Sequence, residues 1–181
     1  MNYFGHAAIA TWCGVAPAAV LGSMLPDFAS MCGARLDEQP DAVVAAGIAL
    51  HHRTDKVFHT LAPVAAVMRE LEARLACAVT EIAVEVLPQL ATGHVGVELL
   101  LDGVLVEDPA WCAGYLAAIA SDATVAWIEE GAARYRVLLE RLRSYGVPED
   151  LKTVDGVMYR LRRVLGARPR LAPNEHDLVA M

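Results

Sequence analysis

Runs of Ala, Val and Leu fill most of this chain, and short polar breaks built on proline, glycine, serine and aspartate separate them. The breaks fall at Pro26-Asp27, Gln39-Pro40, Pro63, Pro88, Asp108-Pro109, Ser121-Asp122 and Gly146-Val147-Pro148. Between them the pattern predicts helices near residues 3–11, 15–24, 40–59, 62–86, 89–106, 110–119, 122–145 and 149–166. The tail RPRLAPNEHDLVAM, with two prolines, is expected to be irregular.

Composition strengthens the helical reading. Ala, Leu, Val and Glu are abundant, and no Asn-Gly or Asp-Gly turn joins two alternating strands. A length of 181 residues suits one sizeable core, and 56% hydrophobic residues exclude a disordered chain. No repeat or linker divides it. The expectation is an all-α, single-domain bundle of about seven or eight helices over residues 1–181.

Against this apolar background LHHRTDKVFHTL, residues 50–61, stands out. His51, Asp55 and His59 recur four residues apart, a step that advances only about 40° around a helix and keeps them on one stripe. Imidazole and carboxylate on one stripe suit a metal site or an acid/base pair. Arg53 and Lys56 fall on other faces. A second stripe, His94, Glu98 and Asp102, lies in the almost wholly apolar HVGVELLLDGVL. Carboxylates facing inward from a buried helix need a cation or a basic partner, because burying an unpaired one costs several kcal/mol. His94 lies between Gly93 and Gly96, where helix propensity is weak.

Other chemistries are excluded by what is missing. There is no G-x-S-x-G elbow, no phosphate loop, no dinucleotide glycine pattern and no Glu-x-x-His di-iron motif, and only four serines occur. A mixed His and carboxylate set suits Mn, Mg, Fe or Zn, ions that act on phosphate esters.

Net charge is -7, which argues against a nucleic-acid partner, yet residues 134–170 hold ten basic and four acidic side chains. That segment is either a solvated helical face or a docking patch for an acidic protein or phosphate. Cys13, Cys32, Cys77 and Cys112 form no C-x-x-C pair and read as buried free thiols in a reducing cytosol. Residues 1–25 lack a basic leader, and Gly14, Pro17 and Gly22 interrupt any membrane-length helix, so a buried first helix and a cytoplasmic, membrane-free protein are expected.

Several segments together resemble the acyl carrier protein phosphodiesterase family, a divergent branch of the HD-domain metal-dependent phosphohydrolases. MNYFGHAAIA resembles its Met-Asn-aromatic-x-x-His opening, with His6 at the histidine. VLGSMLPDF resembles its Gly-Asn-Leu-Leu-x-Asp-Phe loop, with Asp27 at the aspartate, and GIALHHRTD its Gly-Ile-x-Leu-His-Arg-x-Ile-Asp helix, with His51 and Asp55. VELLLDGVLVEDPAW resembles its Asp-x-x-x-Asp-His-Phe-Leu-x-x-x-Trp, with Glu98, Asp102 and, after a short insertion, Trp111; VLGARPRLAP resembles its Arg-rich late segment. The chain departs from the family at Gly103, where the family has His, at His59, where it often has Asp, at Glu98 for Asp and at Ser23 for Asn.

The resemblance implies an HD-domain-like hydrolase of fatty-acid biosynthesis that removes 4′-phosphopantetheine from acidic holo acyl carrier protein with a divalent ion, manganese above all. It implies Asp27, His51 and Asp102 as metal ligands, with His6, Asp55 and Glu98 as catalytic groups; stripe geometry adds His59 as a catalytic candidate that, like His94, could stand in for the histidine missing at Gly103, and Arg53 is the candidate for substrate binding. Two alternatives stand beside it: a related hydrolase of another small phosphoester or nucleotide, and a helical binding protein whose site is degenerate.

Overall fold

The computed structural model describes residues 1–80 and 87–166, except the side chains of 74–80 and 87–92. Eight α-helices are found among them: α1 (Tyr3–Trp12), α2 (Pro17–Cys32), α3 (Ala42–Thr60), α4 (Ala62–Thr80), α5 (Leu87–Leu105), α6 (Pro109–Ile119), α7 (Gly131–Tyr145) and α8 (Val154–Gly166). A 3-10 turn, Glu149–Lys152, precedes α8. The fold is all-α, and no helix of the described residues is long and apolar enough to cross a membrane. The expected continuation of the fourth helix to 86, and the tail beyond 166, lie outside the described residues.

Side-chain hydrogen bonds account for several helix ends. Asp41 caps α3, its Oδ1 accepting from the Val43 amide at 2.8 Å. Asp108 caps α6 in the same way at the Ala110 amide, and Pro109 supplies the first turn. Arg143 on α7 closes the other end of α6 by donating from Nε to the Ile119 carbonyl at 2.6 Å.

Two expectations are corrected. Pro26-Asp27 does not break the second helix: α2 runs through Pro26 to Cys32 and ends at Gly33, whose φ of 60° suits a left-handed cap. Burial overrides the missing proline amide, because Phe28 and Ala29 beyond it complete the core. Asp27 therefore stands on a helix. The second correction concerns 122–130, which are not helical. Thr124, Val125, Trp127 and Ile128 favour extended backbone, and 35–39 satisfy them there. Leu36 pairs with Trp127, Ile128 N donates to the Arg35 carbonyl at 3.0 Å, and the Gln39 amide both donates to and accepts from Ala126.

The main core joins α1, α2, α3, α6 and α7 through Phe4, Leu21, Met24, Phe28, Val44, Tyr115 and Tyr135. A smaller cluster of Val95, Leu99, Leu151, Val157, Leu161 and Leu165 seats α5 on α8 and the 3-10 turn. Cys13, Cys32 and Cys112 are free thiols; Cys13 is exposed and the other two half-buried, so full burial does not hold for them. The Cys77 side chain lies outside the described residues.

Candidate metal centre

Helices α2 and α3 cross with glycine against glycine. A Cβ on Gly22 would strike the Val44 carbonyl oxygen, and one on Gly47 would strike that of Ala19. This approach brings Asp27, five residues beyond Gly22, towards His51, four beyond Gly47. His6 enters from α1, fully buried, with its ring stacked on that of His51 at a centroid distance of 3.8 Å. One ligand atom from each of His6, Asp27 and His51 lies within 4.8 Å of the other two, so these residues could hold a metal ion.

The surroundings fix which ring nitrogens are available. His51 Nδ1 is 2.8 Å from the Ser23 carbonyl, which only accepts, so Nδ1 carries the proton and Nε2 keeps its lone pair. Pro26 offers no amide to that turn of α2. His6 Nδ1 is 3.2 Å from Thr54 Oγ1, whose own hydrogen goes to the Leu50 or His51 carbonyl, so the hydroxyl accepts and His6 also keeps its Nε2 lone pair. Among the described residues, His6 Nε2 and Asp27 Oδ2 are buried without a hydrogen-bond partner. Two orphaned buried donors beside a third lone pair match what a divalent cation takes up.

Protonation follows from burial. It pushes His6 down to about 3, helped by His51 and the Met1 ammonium, and pushes His51 below the ordinary imidazole value despite its bond to Ser23. Burial lifts Asp27 to about 7, with the Met1 ammonium opposing. At neutral pH both imidazoles are neutral and Asp27 is poised to exchange its proton for a cation.

A second group adjoins the first. His59 at the end of α3 and His94 and Glu98 on α5 also lie within 4.8 Å of one another, ligand atom to ligand atom. Asp55 stands between the groups, its Oδ1 3.7 Å from His6 Nε2 and 3.3 Å from His59 Nε2. The Met1 ammonium donates to Asp55 Oδ1 at 2.7 Å and to Glu98 Oε1 at 2.8 Å. Burial raises both carboxyls, but the ammonium at Asp55, and His94 with the ammonium at Glu98, outweigh it and hold both below the ordinary range.

The residues read from the sequence are thus distributed. His6, Asp27 and His51 converge; His59 and Glu98 join a different group; Asp55 lies between. Asp102 belongs to neither group. It is completely buried, and its Oδ2 accepts from Asn2 Nδ2 at 2.7 Å. Burial lifts its carboxyl to about 8. Arg53 is exposed on another face of α3. His94 is legible as an i, i+4 partner of Glu98, its flanking glycines notwithstanding; a Cβ on Gly93 would press only on the Glu72 side chain, at 2.7 Å. Thr54 and the Ser23 carbonyl, which orient the two rings, carry no signal of their own in the sequence.

Gly103, where a histidine was expected from the resemblance, faces away from both groups. A Cβ there would strike the Leu151 carbonyl oxygen of the 3-10 turn. No family model, curated protein or solved structure matches the chain.

Proposed function

We propose that this chain is a divalent-metal phosphodiesterase with an HD-like site, and that its substrate is the 4′-phosphopantetheine diester of holo acyl carrier protein. The observation that carries the metal reading is the convergence of His6, Asp27 and His51 with two of their donor atoms buried and, among the described residues, unpartnered. These three residues would hold the ion. When bound, a divalent ion supplies polarisation of the diester and a water of lowered pKa.

The chain's own residues supply the rest. Thr54 and the Ser23 carbonyl keep both imidazole lone pairs turned inward. Asp55, held ionised by the Met1 ammonium and about one-third exposed, lies beside the group and is suited to orient the attacking water by accepting a hydrogen bond from it. Two imidazoles and a carboxylate admit manganese, iron or zinc, and the choice of manganese for this group rests on the sequence resemblance alone.

The carrier protein as substrate draws on the sequence resemblance and on charge. Arg134, Arg136, Arg141, Arg162 and Arg163 are exposed on α7 and α8 and suit an acidic partner. Arg160 belongs to the fold instead, held bidentately by Asp150 at 2.7 and 2.8 Å. A cytoplasmic location goes with this reading.

Mass spectrometry of holo acyl carrier protein incubated with the manganese-loaded chain tests it. The expected result is apo protein and free phosphopantetheine, lost in Asp27→Asn and His51→Ala. Turnover of a nucleotide or small diester with the carrier protein untouched would replace the substrate. No turnover together with no bound metal would leave a helical binding protein.

A further inference from the structure

We propose that His59, His94 and Glu98 form a second cation site, for an imidazole-preferring divalent transition ion of the zinc class, linked to the first group through Asp55. The three donors come from two helices and meet at one carboxylate: Glu98 Oε1 is 3.0 Å from His94 Nε2 and 3.9 Å from His59 Nε2. The two rings stack at 4.7 Å with 20° between their planes, and one ligand atom of each lies within 4.8 Å of the other and of one from Glu98. Asp55 Oδ1, 3.3 Å from His59 Nε2, offers a fourth donor from the side of the first group.

An ordinary surface pair would account for His94 and Glu98, which are four residues apart on α5. It does not account for His59, which arrives from the last turn of α3 at the same oxygen. Two imidazoles and one carboxylate with an open side form a donor set that zinc-class ions take readily, whereas magnesium and calcium prefer oxygen. Side-chain exposures of 30% for His59, 44% for His94 and 13% for Glu98 leave an entry path and room for water or substrate at the ion. The Met1 ammonium is bonded to the same Asp55 Oδ1 and Glu98 Oε1, so positive charge is already accommodated there and an ion at this site takes its place or binds through the other oxygen of each carboxylate. The site does not depend on the phosphodiesterase reading, because its ligands are distinct from His6, Asp27 and His51.

Cobalt(II), a visible-absorbing stand-in for zinc, tests it on the full chain stripped with chelator. Asp27→Asn silences the first group and changes a carboxyl to its isosteric amide, so that variant isolates the second. Equilibrium dialysis is expected to give one cobalt per Asp27→Asn chain, with ligand-field absorption of nitrogen coordination. His59→Gln or His94→Gln added to it is expected to weaken binding at least about tenfold. Both histidines are partly exposed, so these changes spare the core, and unchanged thermal unfolding is the check. Zinc added to the wild-type chain should also shift the ring-proton NMR resonances of His59 and His94. The proposal is overturned if the Asp27→Asn chain binds no cobalt, or if it binds equally well without His59 or His94. Cobalt retained in Asp27→Asn but lost from His94→Gln alone would uphold the second site while removing the first, so the two readings fail separately.

Discussion

Gly22 and Gly47 are in backbone contact across α2 and α3: a Cβ on Gly47 would come within 2.8 Å of the Gly22 Cα. Rigid backbone on both sides leaves nothing to yield. The contact sets the spacing of the two helices, and with it the distance between Asp27 and His51 one turn further along.

Gly47→Ala should therefore destabilise the chain and disrupt the first metal group together. Overpacking against backbone costs about 1–3 kcal/mol or more, which for a chain of this size lowers Tm by several degrees. Calorimetry and manganese titration would read both effects. Gly166→Ala, where an added Cβ meets nothing within 4 Å among the described residues, should change neither.

Metal affinity should follow the titration of Asp27. His6 and His51 are already neutral near pH 7 because burial depresses both, so they release no proton on binding. Asp27 ionises at about 7, so a cation displaces one proton from it below that pH. Affinity at this group should rise with pH towards 7, as the proton on Asp27 competes less, and level off above. Asp27→Asn should bind weakly and without that slope. Titration calorimetry at several pH values, with the second group removed by His94→Gln, decides it.

Asp102 should report on stability. Its carboxyl is lifted to about 8 in the folded chain by burial, against 3.8 when unfolded. The folded state thus holds the proton more tightly. The stability this adds is complete below about 4 and is lost as pH rises through 8. Asp102→Asn keeps the shape without the titration, so its Tm should gain on the wild type progressively between pH 4 and 8. Parallel curves for the two proteins would refute this account. Asp102→Ala should cost about 1–3 kcal/mol by leaving the Asn2 amide without its acceptor.

Gly103→His restores the residue of the resembled family, yet it should not raise activity. The new side chain would drive the 3-10 turn at Leu151 away from α5. Lower Tm with unchanged or reduced turnover is the expected pair of observations.

Much of the helical framework is legible in the sequence, because its signals are local. Asp41 and Asp108 cap helices through amides two residues away, and Pro109 sits where a first turn tolerates it. The stripe of His51, Asp55 and His59 was equally legible, since a four-residue step returns to nearly the same face.

Tertiary contacts decided how that stripe is used. Eight residues of helix rise about 12 Å and turn about 80°, so one ion cannot bind both His51 and His59. His51 meets α2, His59 meets α5, and Asp55 is left between them. The same geometry sends Glu98 to one group and Asp102 to Asn2. Pro26 signals a break to its own neighbours, but Phe28 and Ala29 gain more from the core than the lost amide costs. Residues 122–130 follow the extended segment 35–39 rather than the helix after them, because their backbone partners lie about 90 positions away in the chain. A sequence specifies which face of a helix carries its chemistry; the approach of one backbone to another specifies what that face meets.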